Sequence, residues 1–191
     1  MRAFVVGIVF TLAVAAIAVV LVVQNGWMDP RADDGYLPME KWASRAVPRA
    51  IRNDSKGLNP PIQATPENLT AGAKLYGTEC AICHGASDAQ ESDIAKGLYV
   101  KPPQLAKDGV EDDPAGETYY KIAHGYRMTP MPAFSKQLTE SQMWQLALFL
   151  KNIDKLPPQA DAAFKKIPSQ ATPGAPPAVV PSATPAPQMT T

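Results

Sequence analysis

The sequence predicts an all-α protein whose folded region is small. No stretch of useful length alternates apolar and polar residues with period two, so a sheet is not expected. Several segments instead repeat their apolar residues at helical spacing. The two ends of the 191-residue chain differ from its middle, because residues 3 to 23 carry no charge and residues 157–191 hold nine of the 20 prolines. About 130 residues are therefore left to fold as a globular unit.

The first segment, residues 1–24, is predicted to be a transmembrane anchor. Residues 3 to 23 are 21 consecutive uncharged positions, and as a helix rising about 1.5 Å per residue they cross the ~30 Å hydrocarbon layer of a bilayer. A cleaved signal peptide is the alternative, since the small-x-small triplets that end at Ala15 and Ala18 suit a signal peptidase. Cleavage after Ala18 would leave an exposed apolar stub, which favours retention of the anchor. A helix buried in a soluble core is the third interpretation.

Two further segments flank the folded region. Residues 25–65 are predicted to be a mostly extended tether, because charges of both signs and five prolines are spread along them. One short helix is expected there, around residues 39–46. Residues 157–191 are predicted to be a disordered, partly polyproline-like tail, because Pro, Ala, Ser and Thr dominate.

The remaining domain, residues 66–156, contains three helices with local signals. A first helix is predicted over residues 66–79, because a threonine and a proline form a helix start there. A second is predicted over residues 116–123 and ends at a glycine. A third begins at the capping box formed by Thr139 and Gln142 and is expected to continue to the proline pair at 157–158.

Charge and composition exclude some functions and narrow the rest. Eighteen Lys and Arg balance 18 Asp and Glu, so a general nucleic-acid binder, whose affinity would rest on phosphate neutralisation, is not expected. The chain has only five Phe, six Tyr and three Trp, and a domain of about 90 residues with so few large apolar side chains often needs a covalent or metal staple. The only two cysteines, Cys80 and Cys83, stand three residues apart and are followed by His84.

Cys80, Cys83 and His84 form the Cys-x-x-Cys-His pattern of covalent c-type haem attachment. Two thiols at this spacing can each add to one of the two vinyl groups of the haem. The histidine that follows then directs a ring nitrogen at the iron. The motif occurs once and predicts one covalent haem c, with His84 as an axial ligand and the macrocycle completing the core.

Three other interpretations of this motif remain open. A thioredoxin-like redox pair would follow a strand in an α/β chain, and no strand is predicted. A structural disulfide across so short a loop would be strained and would stabilise little. A zinc site needs four ligands, and Cys80, Cys83, His84 and His124 would supply them.

Three residues are candidates for the second axial position, namely His124, Met128 and Met131. With the haem motif, the stretch Met131-Pro-Ala-Phe before the last helix resembles the class I c-type cytochromes, in particular small monohaem bacterial domains, over residues 66–156. The resemblance implies a small class I cytochrome c fold of three to five helices around one haem. It also implies that Met131 is the distal ligand, with Met128 and His124 as the alternatives.

The resemblance implies two further features of the domain. Gly72 and Tyr76 of the first helix are expected to cross the last helix closely. Pro103, in a Pro-x-Leu sequence after the haem motif, is expected to accept a hydrogen bond from the His84 imidazole through its carbonyl group, which fixes the ring orientation and raises ligand basicity. An ordinary loop proline is the alternative for Pro103.

The function that follows is one-electron transfer and not catalysis. If both axial positions are filled, small molecules find no open site at the iron, and a methionine ligand favours ferrous iron. The resemblance implies haem attachment outside the cytoplasmic membrane, so the haem domain is expected in the periplasm or an equivalent space, with membrane or periplasmic redox proteins as partners and lipid in contact with residues 3–23. A haem enzyme or gas sensor with a displaceable methionine is the alternative function. Five acidic residues within 108–117 suggest a docking site for a basic partner, or else a solvated loop.

Overall fold

The computed structural model describes residues 1–27, 31 and 39–169. The described residues form α-helices and one short 3₁₀ helix, Val110–Asp112, without any β-strand, which confirms the predicted all-α fold. The helices are α1 (Arg2–Gln24), α2 (Glu40–Ser44), α3 (Val47–Asp54), α4 (Pro66–Glu79), α5 (Ala81–His84), α6 (Asp93–Gly97), α7 (Ala115–His124), α8 (Glu140–Lys151) and α9 (Pro158–Lys165).

Helix α1 is long and apolar enough to cross a membrane, and no other described helix is. None of its 23 residues is buried, so the interpretation as the buried helix of a soluble core is wrong. Its length and composition fit a membrane anchor and a signal sequence alike.

Helix α4 has the predicted boundaries, 66–79. The Thr65 hydroxyl accepts a hydrogen bond from the backbone N–H of Asn68 at 3.3 Å, and Pro66 takes the first helical position, where its missing N–H costs nothing. This start is local, because it involves only residues within one turn of the helix.

The core lies where α4 crosses α8. Gly72 makes the crossing possible, because a β-carbon at that position would lie 2.6 Å from the Phe149 β-carbon and would also overlap the Gln145 carbonyl. One turn further, the rings of Tyr76 and Phe149 lie 5.5 Å apart, and both residues are fully buried. The close crossing implied by the resemblance is therefore confirmed.

Replacing Gly72 by alanine should lower the free energy of unfolding by about 2–3 kcal/mol, because the helices must separate to admit the methyl group. Guanidinium unfolding of the haem-loaded protein, followed by far-ultraviolet circular dichroism, measures the change. Gly97 is the matched control, since a β-carbon there would meet nothing within 4 Å, and Gly97→Ala should change stability by less than about 0.5 kcal/mol. Equal losses in the two variants would contradict the packing argument.

Helix α8 begins as predicted and ends early. The predicted capping box is confirmed, because Thr139 and Gln142 each bond the backbone N–H of the other. The helix stops at Lys151 and not near Pro157, because Asn152 leaves the helical conformation and its side chain bonds the Leu148 carbonyl at 2.8 Å. The missed signal was this asparagine, which competes for helical carbonyls.

The predicted tail begins too early, since part of it is helix α9. Phe164 is buried, with its ring 5.6 Å from that of Tyr76 and 5.3 Å from that of Phe149. Ala160, four residues earlier on the same side of the helix, is also buried. The prediction of a disordered tail is therefore wrong for residues 158–165. The part of the predicted tail at 170–191 lies outside the described residues.

The predicted tether is also too long, although its short helix is present as α2. Helix α3 packs on α7 and buries Ile51, and the Tyr120 hydroxyl donates a hydrogen bond to Asp54 at 3.1 Å. Further along, Leu58 lies so close to Gly116 that a β-carbon on the glycine would overlap it. Residues 47–58 therefore belong to the folded domain and not to a tether. Residues 28–30 and 32–38 of the predicted tether lie outside the described residues.

Candidate haem-binding site

The Cys-x-x-Cys-His sequence forms a single helical turn. Cys80 caps the N-terminus of α5, and its carbonyl accepts hydrogen bonds from the N–H groups of Cys83 at 3.1 Å and His84 at 2.9 Å. Residues three apart on a helix share one face, so both thiols lie on the same side of this turn. Both cysteines are free, so the disulfide interpretation is wrong for this structure.

The two thiols lie in an apolar environment. Cys80 contacts the main core cluster, and burial raises its pKa to about 12, with smaller contributions from the charges of Glu79 and Cys83. Burial also raises the pKa of Cys83. Redox-active cysteine pairs have lowered pKa values and stabilised thiolates. Together with the absence of strands among the described residues, this speaks against a thioredoxin-like pair.

A backbone carbonyl group fixes the ring of His84. The Nδ1 atom lies 2.8 Å from the carbonyl oxygen of Pro103, 19 residues away. A carbonyl oxygen only accepts, so Nδ1 carries the hydrogen and the lone pair of the neutral ring is on Nε2. Burial lowers the pKa of His84, and the bond to Pro103 opposes that shift in part. The ring is thus a neutral imidazole, oriented by a second residue, with Nε2 ready to bind a metal.

The motif and the glycine that follows it are held by two hydroxyl groups from outside the motif. The Tyr76 hydroxyl of α4 donates to the Gly85 carbonyl at 2.7 Å, and the Ser92 hydroxyl donates to the Ile82 carbonyl at 2.6 Å. Gly85 itself has φ +73°, and a β-carbon there would lie 2.7 Å from the Gln90 carbonyl, so only glycine suits this turn. These contacts fix the position of the motif relative to the core.

Met131 lies in a loop that its own residues brace. The Thr129 hydroxyl donates to the Tyr126 carbonyl at 2.6 Å and accepts from the Met131 N–H at 3.2 Å, while the Tyr126 N–H donates to the Met131 carbonyl at 3.3 Å. The loop passes so close to Gly125, which has φ +71°, that a β-carbon there would lie 2.7 Å from the Met131 carbonyl oxygen. The Met131 side chain is half-buried.

The two alternative ligands have other surroundings. Met128 is half-buried, adopts the left-handed backbone conformation at φ +63° and accepts a hydrogen bond from the Tyr99 hydroxyl through its carbonyl at 3.3 Å. His124 is exposed at the end of α7, with its ring 4.5 Å from that of Tyr120. Among the described residues no three His, Cys, Asp or Glu side chains are close enough to hold a metal ion. The zinc interpretation, which needed His124 beside the motif, is therefore wrong.

Sequence reasoning missed Thr129 as a residue that braces the loop around Met131, here called the methionine loop (residues 125–133). It assigned Gly125 only the role of ending a helix. A hydroxyl residue two positions before Met131 is the signal for the first, since serine and threonine commonly bond nearby backbone groups in turns. The close approach at Gly125 involves residues six to eight positions further on, and no local pattern reveals it.

The acidic region at 108–117 is largely engaged within the domain. Asp108 accepts a hydrogen bond from the Gln104 N–H. Lys121 of α7 lies 2.7 Å from Asp113 and 2.9 Å from Glu117, and Glu117 is buried. Three of the five acids therefore have partners in the domain, which weakens the interpretation of this region as a docking surface.

The residues present fit a covalently bound haem. Two unoxidised thiols share one face of a turn, and the imidazole beside them has its Nε2 lone pair free. Thioether formation consumes neutral thiols, and iron needs only the imidazole and one further donor. This helical fold and this site define a c-type cytochrome domain.

The comparisons with known proteins agree. Residues 67–150 match the family model described as cytochrome c oxidase, cbb3-type, subunit III. A region of 92 residues, 47% of this chain, is 30% identical to the quinohemoprotein alcohol dehydrogenase ADH IIB of Pseudomonas putida, where it covers 12% of the enzyme. No solved structure matches the chain. The chain therefore carries a c-type cytochrome domain, whose cofactor is covalently attached haem c and whose chemistry is haem-based electron transfer.

Proposed function

We propose that this chain is a one-electron carrier whose haem is attached through Cys80 and Cys83, with its iron bound by His84 and Met131. Residues 3–23 tether it to a membrane, as a free carrier or as a subunit of an electron-transfer complex. The observation that carries the proposal is the contact between His84 Nδ1 and the Pro103 carbonyl. It leaves Nε2 as the donor atom within a covalent attachment motif, and this is the arrangement that a permanent axial ligand needs.

When bound, the haem supplies a one-electron ferric/ferrous couple. The protein residues keep the same two ligands in place in both oxidation states. Pro103 holds the proximal ring in one tautomer and one orientation. Thr129 and Gly125 restrict the loop whose Met131 sulfur would be the second ligand. A ligand set that stays the same in both oxidation states keeps reorganisation small, and a filled sixth position excludes oxygen and peroxide.

Carbon monoxide and cyanide test this proposal against the haem enzyme or gas sensor. The untreated protein should show no change of its absorption spectrum when carbon monoxide is added to the reduced form or cyanide to the oxidised form, because the Met131 sulfur occupies the site. A rapid and complete spectral change at modest ligand concentration would favour the enzyme or sensor and refute the carrier. Mildly unfolded protein, in which the distal ligand is lost, serves as the positive control.

The comparisons support a place for this carrier beside an oxidoreductase. The family model is described as a subunit of an oxidase, and one curated relative is a quinohemoprotein alcohol dehydrogenase. Since the matched region is a small part of that enzyme, the likeness supports a shared cytochrome domain and not dehydrogenase activity in this chain. The proposed partners are membrane or periplasmic redox proteins, with the haem domain in the periplasm or an equivalent space.

The tether is tested by the fate of residues 3–23. We expect the purified protein to have the intact mass of the full chain. We also expect it to stay with membranes through a high-salt wash and to be released by detergent, because residues 3–23 of α1 form an uncharged segment long enough to span a bilayer. A form in which a cleavable signal peptide replaces residues 1–24 is the control and should be soluble. An intact mass that begins at Val19 would refute retention.

A further inference from the structure

The outward side of α3 carries a row of basic residues that the electron-transfer site does not use. Arg45, Arg49, Arg52 and Lys56, here called the basic stripe, follow one another at offsets of four, seven and eleven residues. This spacing puts them on one side of a helix, and the residues that flank α3, Arg45 and Ser55, also have right-handed helical backbone angles. All four are exposed, and none of them forms an ion pair with a described residue.

The adjoining side of α3 is already docked on the domain, which leaves the basic stripe on the exposed part of the helix surface. Ile51 and Ser55 are buried, and Asp54 accepts the hydrogen bond from Tyr120 of α7. The one acid of α3 thus faces the domain. Of the four bases, Arg52 lies close enough to the domain for its charge to oppose part of the rise in the pKa of Tyr126. Since the apolar side is used in this contact, α3 cannot insert into a lipid interior, and any partner of the stripe must be recognised by charge.

We propose that the basic stripe is a docking surface for anionic phospholipid headgroups, which holds the haem domain against the bilayer in which its own span is anchored. This inference rests on the proposed membrane tether. Juxtamembrane basic residues are attracted by anionic leaflets within a Debye length of the surface. An acidic protein partner is the competing occupant, and the experiment below distinguishes it.

The position of the stripe in the chain favours lipid over protein. Only residues 25–44 separate the end of α1 from Arg45, and 20 residues span at most about 70 Å even when fully extended. The stripe therefore meets a membrane surface at high effective concentration. Lys41 and Trp42 lie directly before it, and Trp42 is 68% exposed. Indole rings are favoured at the level of lipid headgroups, so this side chain supports the same partner.

The covalent haem provides the readout, because it quenches fluorescent headgroups by energy transfer when the domain lies close to the bilayer. The full haem-loaded chain is placed in vesicles that contain a headgroup-labelled lipid, either in phosphatidylcholine alone or with about a third of phosphatidylglycerol. At low salt we expect quenching that is at least about twofold stronger in the anionic vesicles, and we expect this difference to vanish at about 1 M salt, where the Debye length is ~3 Å.

Two matched variants identify the surface responsible. Replacing Arg45, Arg49, Arg52 and Lys56 together by glutamine should abolish the difference between the two vesicles. Replacing four other exposed lysines, Lys74, Lys107, Lys136 and Lys166, removes the same charge and should leave it intact. Equal quenching in both kinds of vesicle would overturn the proposal and leave the acidic protein as the partner. The proposal would also be overturned if both variants lost the difference between the vesicles to the same extent. If a variant folds poorly, the salt titration of the unaltered chain still tests the proposal, because a difference between the two vesicles that persists at high salt would overturn it.

Co-sedimentation with the vesicles at high salt separates this inference from the tether. A chain that sediments with both vesicles and shows no effect of lipid charge retains its tether, and the docking proposal fails. A chain that leaves the vesicles at high salt has no tether. In that case binding to anionic vesicles at low salt, lost in the basic-stripe variant, would support the docking surface by itself, and its absence would refute that surface as well.

Discussion

The double variant Cys80→Ala, Cys83→Ala should contain no covalently bound haem. Both thioether bonds require a thiol, and these are the only two cysteines of the chain. Denaturing electrophoresis with a haem stain measures the result, because only covalently attached haem survives it. We expect the stain to disappear from the double variant and to weaken in each single variant, where one thioether can still form.

The control for this experiment lies within the same turn. Ile82 stands between the two cysteines and is 47% exposed, so Ile82→Ala changes the motif without removing a thiol and should stain like the unaltered protein. Haem stain that persists in the double variant would contradict the assignment of these residues. Loss of stain in the Ile82 variant would mean that the turn itself, and not the thiols, had been damaged.

The helix starts that the sequence predicted are those that depend on neighbouring residues. Thr65 bonds the N–H of Asn68, and Thr139 and Gln142 bond each other within one turn. Such contacts are complete before the helix meets the rest of the protein, so the order of residues is enough to identify them. The end of α8 also depends on a local contact, because the Asn152 side chain bonds the Leu148 carbonyl four residues earlier. This asparagine is therefore a signal that the sequence contains.

Helices α3 and α9 could not be predicted in this way. Each has eight residues, a length that is marginal for an isolated helix. Helix α9 is stabilised by Phe164, whose ring packs on Tyr76 and Phe149 from other helices. Helix α3 is held by the burial of Ile51. Its Asp54 also accepts a hydrogen bond from Tyr120, which lies 66 positions further along the chain. The proline and charged residues of both segments predicted an extended chain. The contacts that order these helices could not be foreseen, because the residues involved are distant in sequence.

The candidate site divides along the same line. The spacing of Cys80, Cys83 and His84 is visible in the sequence because attachment chemistry itself demands it. Pro103 came from family resemblance, since nothing in the residues alone links position 103 to position 84. Thr129 was missed, although its hydroxyl bonds backbone groups on both sides of the methionine loop.

Replacing Met131 by alanine should open the iron to small molecules. We expect the variant to lose the long-wavelength sulfur-to-iron absorption of the oxidised protein and to bind carbon monoxide when reduced. Its reduction potential should fall by about 0.1 V or more, within the ~0.8 V range that axial ligands control. The physical reason is that a neutral, polarisable thioether favours ferrous iron. Absorption spectroscopy and potentiometry of the haem-loaded variant measure all three changes.

Met128→Ala is the matched control, because Met128 is also half-buried and lies three residues earlier in the same loop. Its carbonyl, and not its side chain, accepts the bond from Tyr99, so the substitution should leave spectrum, potential and carbon monoxide binding nearly unchanged. The bracing of the loop by Thr129 and Gly125 acts on the backbone at Met131, which is why we expect that sulfur to be the one held in place. Losses in the Met128 variant alone would move the ligand by three residues. If neither variant shows them, His124 becomes the ligand to test, and the inference of a high potential fails with Met131.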